Sequence, residues 1–186
     1  MSSKLRLNRY FSSNTYFGLK LFKKLYNRNT YLGTTLIMII DGKKEAQLLR
    51  DEIKKEIESI KLKNNKVPGL TVILIGDFAP SQIYVKNKEK NAKEVGINSQ
   101  VIRYPKEVME QEVLEKIQEL NNNDDVSGIL VQLPLPPQIN KEKIINAIDP
   151  TKDVDGFHPI NVGNLSSGYD ATVPCTPLGC LFLIKR

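Results

Sequence analysis

The sequence alternates continuous apolar runs with longer helical segments, and this alternation restricts the fold more than any other feature. Residues 70–76 read LTVILIG, and residues 127–136 read SGILVQLPLP. Such runs are typical of parallel strands buried on both faces of a sheet. Because helical segments separate the runs, we expect right-handed crossovers between parallel strands. The predicted fold class is α/β: a three-layer sandwich with a mostly parallel sheet and no Rossmann domain in this chain.

The remaining elements follow from periodicity and from turn signals. We expect a short strand in MIID from Met38, a helix capped by Asp41 that ends at Asn64 and Asn65, and a turn at Pro68-Gly69. Residues 149–177, rich in Pro, Gly, Asn and Asp, are predicted to be loop. The other predictions are helices at 81–95 (stopped by Gly96), 109–122, 140–148 and from 178 onward, and a strand at 100–104.

The positive charge is confined to the beginning of the chain. The net charge of +6 at pH 7 would by itself point to a nucleic-acid binder. However, residues 1–40 hold seven Lys or Arg and no Asp or Glu, and subtracting seven from 27 leaves 20 basic against 21 acidic residues in the remainder. The domain that follows is therefore nearly neutral, and we expect no nucleic-acid partner.

Residues 1–37, called the leader below, combine those cations with eight Ser or Thr residues and several aromatic and leucine side chains. A basic, hydroxyl-rich segment without acids is typical of an organelle transit peptide, so the prediction is mitochondrial import. Two alternatives are a disordered basic tail and an upstream extension of a cytoplasmic protein whose translation starts at Met38. The apolar run at 36–40 is too short to span a membrane.

The cysteine content gives little support for a metal site. Cys175 and Cys180 are the only cysteines, and His158 is the only histidine. Zinc normally takes four protein ligands, or three and a water. We therefore predict no metal, and two unpaired thiols in a reducing compartment.

Polar residues follow three of the predicted strands, where ligands bind in open α/β sheets. Ser81, Tyr84 and Lys88 follow the first strand. Tyr84 and Lys88 share a helix face with Ala92 and Val95, so Lys88 is expected to point toward the body of the protein. Such residues also have plain structural explanations: a tyrosine can lie at the edge of the core, and a lysine can extend its amine into water.

The other two strand ends carry an amide and two carboxylates. Gln132 lies inside an apolar run, and leaving its buried amide unbonded would cost about 1–3 kcal/mol, so a partner is implied. Asp153 and Asp155 lie in KDVDGFHPIN, which can also be a simple Asx turn. Together these groups indicate a functional site. An amine removed from water can move protons near neutral pH, a glutamine can hold it, a carboxylate can bind a nitrogen-rich ring, and a tyrosine can stack on that ring.

Four segments resemble the signature segments of the bifunctional methylenetetrahydrofolate dehydrogenase/methenyltetrahydrofolate cyclohydrolase family, especially its mitochondrial members. They are GDFAPSQIYVKNKEKNAKEVGI, GILVQLPLP, DPTKDVDGFHPINVGNL and PCTPLGC, in the family's order. The resemblance extends from Met38 to the end of the sequence. It implies a catalytic domain at residues 38–177 and, at 178–186, the start of a linker helix to a cofactor domain that is missing from this chain.

The resemblance also implies roles for individual residues. Tyr84 falls on the tyrosine that stacks on the folate ring, and Lys88 falls on the lysine essential for cyclohydrolase chemistry. Gln132 falls on the glutamine that bonds and tunes this lysine, and Asp155 on the aspartate that anchors the pterin. The implied catalytic residues are Lys88, Gln132 and Tyr84, and the implied substrate contacts are Tyr84, Lys88, Val131, Gln132, Leu133 and Asp155.

The implied activity is oxidation of 5,10-methylenetetrahydrofolate with NAD or NADP, followed by hydrolysis to 10-formyltetrahydrofolate, in an enzyme that is a homodimer at full length. No two of the 11 glycines stand two residues apart, so the G-x-G-x-x-G fingerprint is absent and no cofactor-binding residue is predicted in this chain. The oxidation step is therefore doubtful for this polypeptide. One alternative is a folate-binding remnant without turnover. The other is an RNA-binding protein that uses the leader, which the nearly neutral domain disfavours.

Overall fold

The computed structural model describes residues 39–185, so the leader and Met38 lie outside the described residues. The described part of the chain forms three strands and six helices. In chain order these are α1 (Gly42–Asn64), β1 (Gly69–Ile75), α2 (Ala79–Glu94), β2 (Asn98–Tyr104), α3 (Glu110–Asn121), β3 (Gly128–Val131), α4 (Lys141–Ala147), α5 (Pro159–Ser166) and α6 (Cys175–Ile184).

The strands form one parallel sheet in the order β2-β1-β3, which confirms the predicted α/β class. Gly69 to Ile75 of β1 lie opposite Asn98 to Tyr104 of β2, and Leu70 to Ile73 lie opposite Gly128 to Val131 of β3. β1 and β3 are almost entirely buried, whereas the edge strand β2 is partly exposed.

Helices cover both faces of the sheet and produce the predicted three layers. Alternate residues of β1 enter two separate apolar clusters, because successive side chains of a strand point to opposite faces. Val72 and Leu74 pack with Val85 of α2. Ile73 and Ile75 pack on the other face with side chains of α3 and α4 that include Val113, Ile117 and Ile144.

Local capping explains where several helices begin and end. The Asp41 carboxylate accepts hydrogen bonds from the backbone N–H groups of Lys43 and Lys44, both at 3.1 Å, and so starts α1 as predicted. Asn65 ends α1 in the left-handed conformation, with φ of 51°. Gly96 follows α2 with φ of 91°, which agrees with its predicted role at the end of that helix.

Four predicted features are wrong. Ile39 and Ile40 form no strand and are 83% and 52% exposed, and within the described residues both sides of β1 are already paired. Gly69 opens β1 instead of forming a turn. The helix predicted from residue 178 begins at Cys175. The predicted loop contains α5, a helix that begins with Pro159 and is capped by His158, whose Nδ1 accepts from the Ile160 N–H at 3.2 Å.

No helix within residues 39–185 is both long enough and apolar enough to cross a membrane.

Candidate functional site

Helix α2 brings Lys88 to the sheet and leaves Tyr84 at the surface. The buried residues of this helix are Ser81, Val85 and Ala92, while Lys88 is half-buried and the Tyr84 residue is 63% exposed. Each residue turns a helix by about 100°, so the buried residues centre about 40° to one side of Lys88 and Tyr84 lies about 40° to the other. Tyr84 is therefore turned away from the buried side of the helix, and its ring is accessible for stacking.

The Lys88 amine is hydrogen-bonded to Gln132, so the structure brings these two predicted residues together. Lys88 Nζ donates to Gln132 Oε1 at 3.2 Å, and Gln132 Nε2 donates to the Leu133 carbonyl at 2.7 Å. Gln132 lies one residue beyond β3 and is half-buried, but its backbone N–H still donates to the Ile73 carbonyl at 2.9 Å. The sheet thus fixes the backbone of Gln132, and the side chain of Gln132 orients the amine.

A second link joins α2 to the end of β3. The buried Ser81 hydroxyl donates to the same Leu133 carbonyl, at 3.4 Å. Val131 and Leu133 flank Gln132 and line a small cleft next to α4, together with Asp155 and the partly exposed Phe157. The cleft is apolar on the β3 and α4 sides and carries the Asp155 carboxyl group among its lining residues.

Asp155 carries a negative charge close to Lys88. Burial raises the pKa of the Asp155 carboxyl above its ordinary value of 3.8, the Lys88 charge opposes this shift, and the neighbouring Asp153 carboxylate adds to it. Lys88, Gln132 and Asp155 therefore come from α2, from the end of β3 and from the loop between α4 and α5, at the carboxyl end of the sheet.

Asp153 lies only two residues from Asp155 but has a different environment. It is buried, with 5% exposure, and its carboxylate accepts four hydrogen bonds from within the loop and from α5. The sequence alone does not distinguish the two aspartates of D-V-D-G; in the structure both line the cleft, but only Asp153 is held by four hydrogen bonds that shape the loop.

Cys175 belongs to this region, which reasoning from the sequence missed. Burial raises the pKa of the Cys175 thiol, the Asp155 charge raises it further, and the Lys88 charge opposes the rise, so the sulfur lies near both groups although the residue as a whole is exposed. Its Sγ is 3.8 Å from the Val154 carbonyl. The only sequence signal that could have linked Cys175 to the site was its place in the PCTPLGC segment. Both cysteines are free thiols.

In the part of the chain that the structure describes, no cluster of three His, Cys, Asp or Glu residues is arranged to hold a metal ion.

The raised pKa of Asp155 leads to a prediction about stability. The pKa of Asp155 is higher in the folded protein than in the unfolded chain. The contribution of Asp155 to stability is therefore greatest at pH values below the unfolded-state pKa, and it is lost as the pH rises through the folded-state pKa. We expect Asp155→Asn to increase the free energy of unfolding at pH 7 by up to about 1 kcal/mol. The gain should shrink as pH falls toward 3.8. Urea unfolding at several pH values measures it.

Asp149→Asn is the matched control, with the opposite sign. Hydrogen bonds from Thr151 lower the pKa of Asp149 below its ordinary value of 3.8. Its stabilising contribution is therefore present above the unfolded pKa and is lost as pH falls through the folded pKa. This variant should be less stable than the wild type at pH 7. Equal effects of the two substitutions at pH 7 would contradict the electrostatic picture of the cleft.

Comparison with known proteins gives a consistent result. The family model described as "Tetrahydrofolate dehydrogenase/cyclohydrolase, catalytic domain" matches residues 40–155. The bifunctional protein FolD of Pelagibacter ubique is 63% identical over 150 residues, which are 81% of this chain and 53% of that protein. FolD of Rhodospirillum rubrum is 52% identical over 151 residues, or 79% of this chain and 51% of that protein.

Solved structures of similar enzymes share the fold. The bifunctional FolD methylenetetrahydrofolate dehydrogenase/cyclohydrolase of Campylobacter jejuni has a TM-score of 0.77 and 45% identity, covering 80% of this chain and 52% of that one. The Trypanosoma brucei enzyme, solved with NADP cofactor and inhibitor, has a TM-score of 0.77 and 32% identity, covering 80% and 51%. The chain spans about half the length of the relatives it matches.

Proposed function

The chain belongs to the tetrahydrofolate dehydrogenase/cyclohydrolase family, and we propose that its site binds a reduced folate and hydrolyses 5,10-methenyltetrahydrofolate to 10-formyltetrahydrofolate. The observation that supports this proposal most directly is the hydrogen bond from Lys88 Nζ to Gln132 Oε1, 3.2 Å long, at the edge of a cleft that also contains Asp155. An oriented amine, a carboxyl group and an accessible tyrosine ring supply what a cationic, nitrogen-rich substrate requires.

The proposed reaction requires proton transfer to and from the groups bonded to one carbon atom of the substrate. Water adds to the methenyl carbon of the amidinium cation, and its oxygen loses both protons as it becomes the formyl oxygen. The bond from that carbon to one ring nitrogen breaks, the nitrogen takes up one of the two protons, and the other is released to solvent. Lys88 is the group that carries protons between the water and the nitrogen. Gln132 holds the amine without adding charge, Tyr84 stacks on the ring system, and Asp155 binds the polar edge of the pterin.

Oxidation with NAD or NADP is the other activity of the family, and relatives such as the Trypanosoma brucei enzyme bind NADP. We assign no cofactor-binding residue here, because the spacing of the 11 glycines does not fit a dinucleotide fingerprint. Residues 39–185 are thus proposed to supply the folate half of the whole family protein, which we propose to be a homodimer.

The cyclohydrolase proposal is tested with the 186-residue chain itself. The decay of methenyltetrahydrofolate absorbance should exceed the rate of spontaneous hydrolysis, with the excess proportional to protein concentration. Calorimetric titration with tetrahydrofolate supplies an independent measure of binding. Binding without accelerated decay would support the alternative, a non-catalytic folate binder, and absence of both would contradict the proposal.

Gln132→Glu is expected to lower the cyclohydrolase rate by about tenfold or more. A carboxylate in place of the amide would lie about 3.2 Å from the Lys88 amine and would bind it as an ion pair, which holds the amine away from the water and the ring nitrogen between which it carries protons. Initial rates of methenyltetrahydrofolate decay above the spontaneous rate measure the loss. The control is Gln118→Glu, which introduces the same charge at an exposed position of α3, and an equal loss in that variant would refute the explanation.

We also propose that the leader directs import into mitochondria, as its composition predicts. A fluorescent reporter fused behind residues 1–37 should accumulate in mitochondria, whereas the same leader with Arg6, Arg9, Lys20 and Lys23 replaced by Glu should leave it in the cytosol. Retention of the unmodified fusion in the cytosol would favour translation from Met38 and a cytoplasmic protein.

A further inference from the structure

The carboxylate of Asp153 is buried and held by N–H groups alone. The residue is 5% exposed, and none of the ion pairs formed within residues 39–185 involves it. A buried charge without a cation requires several hydrogen-bond donors to offset the loss of water. Four are present: the backbone N–H groups of Asp155 (3.2 Å), Gly156 (3.0 Å) and His158 (2.9 Å), and Nδ2 of Asn161 (2.9 Å).

These bonds connect three parts of the fold. The backbone at Asp153 forms a parallel bridge with Ile129 of β3, and the Ile129 N–H donates to the Lys152 carbonyl at 2.8 Å. The side chain then accepts hydrogen bonds from the backbone N–H groups of three of the next five residues and from Asn161 in α5. The sheet thus fixes the backbone at Asp153, and the Asp153 carboxylate determines the conformation of the residues that follow.

The donor pattern requires a carboxylate. Oδ1 accepts from Asp155 and Gly156, and Oδ2 accepts from His158 and Asn161. An asparagine has one acceptor oxygen and one donor NH₂ group, so in either orientation its NH₂ would face two N–H groups. Asp153→Asn therefore preserves the size of the side chain but breaks two of the four bonds.

We propose that Asp153 is a positioning residue for the folate site: its buried carboxylate folds residues 153–158 into the turn that presents Asp155 to the cleft. The expected effect of Asp153 on folate binding rests on the proposed function, whereas its effect on the conformation of the turn does not. Asp153 also lines the cleft, but both of its carboxylate oxygens are already engaged by N–H groups of the protein.

Amide hydrogen exchange tests the geometry without any ligand. In Asp153→Asn the amides of Asp155, Gly156 and His158 should exchange at least about tenfold faster than in the wild type. The amides of Val72 and Ile73 in β1 should be unchanged, and the control Asp124→Asn, at an exposed position, should leave all five at wild-type rates. An equal acceleration in β1 would mean general destabilisation, and unchanged rates in the turn would mean that Asp153 does not hold it; either result overturns the proposal.

A double-mutant cycle with tetrahydrofolate as the probe tests the consequence. Calorimetry should show that Asp153→Asn weakens binding by about tenfold, and that it has no further effect in an Asp155→Asn background, because its effect passes through Asp155. Independent, multiplicative losses would contradict positioning. If the wild-type chain does not bind tetrahydrofolate, the proposed function fails while the exchange experiment still decides the role of Asp153.

A third variant covers the case in which Asp153→Asn does not fold. Asn161→Ala removes one of the four donors, the one from α5. It should accelerate amide exchange at His158, which donates to the same carboxylate oxygen, more than amide exchange in β1. It should also weaken tetrahydrofolate binding, by a smaller factor than Asp153→Asn does. An Asn161→Ala chain with wild-type exchange and binding would overturn the proposal.

Discussion

Replacing Lys88 by methionine should reduce the cyclohydrolase rate by at least about 100-fold, because the variant has no group at this position that can carry a proton between water and the leaving nitrogen. Methionine retains most of the length and apolar surface of the side chain, so the packing of α2 against the sheet should persist. Binding of tetrahydrofolate should weaken by no more than about tenfold, or about 1.4 kcal/mol. The measurement is methenyltetrahydrofolate decay above its spontaneous rate, paired with calorimetric titration.

Lys90→Met is the matched control for this prediction. Lys90 lies on the same helix two residues later and is exposed, so its replacement removes the same charge without touching the hydrogen bond to Gln132. This variant should retain the wild-type rate. A wild-type rate in Lys88→Met would reduce the Lys88–Gln132 contact to packing and would remove the main support for the proposed function.

The sequence predicts the sheet well because burial alone determines its strongest signals. β1 coincides with the first apolar run and β3 falls within the second, and a strand covered on both faces has no solvent face to encode. The Lys88–Gln132 contact is partly predictable for a related reason: a lysine in line with apolar residues and an amide within an apolar run both require a polar partner in the interior.

Features that depend on long-range contacts are not predictable in this way. α5 contains Pro159, Gly163 and two asparagines, a composition that favours loop. The helix is nevertheless supported by contacts outside itself, since its Asn161 side chain donates to the Asp153 carboxylate and to the Pro150 carbonyl, both at 2.9 Å. The exposure of Tyr84 likewise depends on a helix rotation of about 40°, which a spacing of four residues does not resolve.

The second large effect is expected at Gly156, where α6 meets the loop that carries Asp155. Gly156 has φ of 69°, and a Cβ at this position would lie 2.6 Å from the Thr172 carbonyl oxygen and 3.0 Å from the Pro174 nitrogen. Both contacts are with backbone, which a side-chain rotation cannot relieve. Gly156→Ala must therefore displace the segment leading into α6, and with it Cys175, whose sulfur lies beside Val154 and near Asp155.

Gly168→Ala isolates the steric part of this effect. Gly168 has φ of 79° and nothing within 4 Å of its added Cβ, so alanine there suffers only the backbone strain of the left-handed region, about 1–2 kcal/mol. Gly156→Ala should cost a further 1–3 kcal/mol or so from the forced shift and should also weaken tetrahydrofolate binding, which Gly168→Ala should leave intact. Urea unfolding and calorimetry measure the two quantities. Equal unfolding free energies and wild-type binding in both variants would show that the approach of residues 172–174 to the loop does not shape the site.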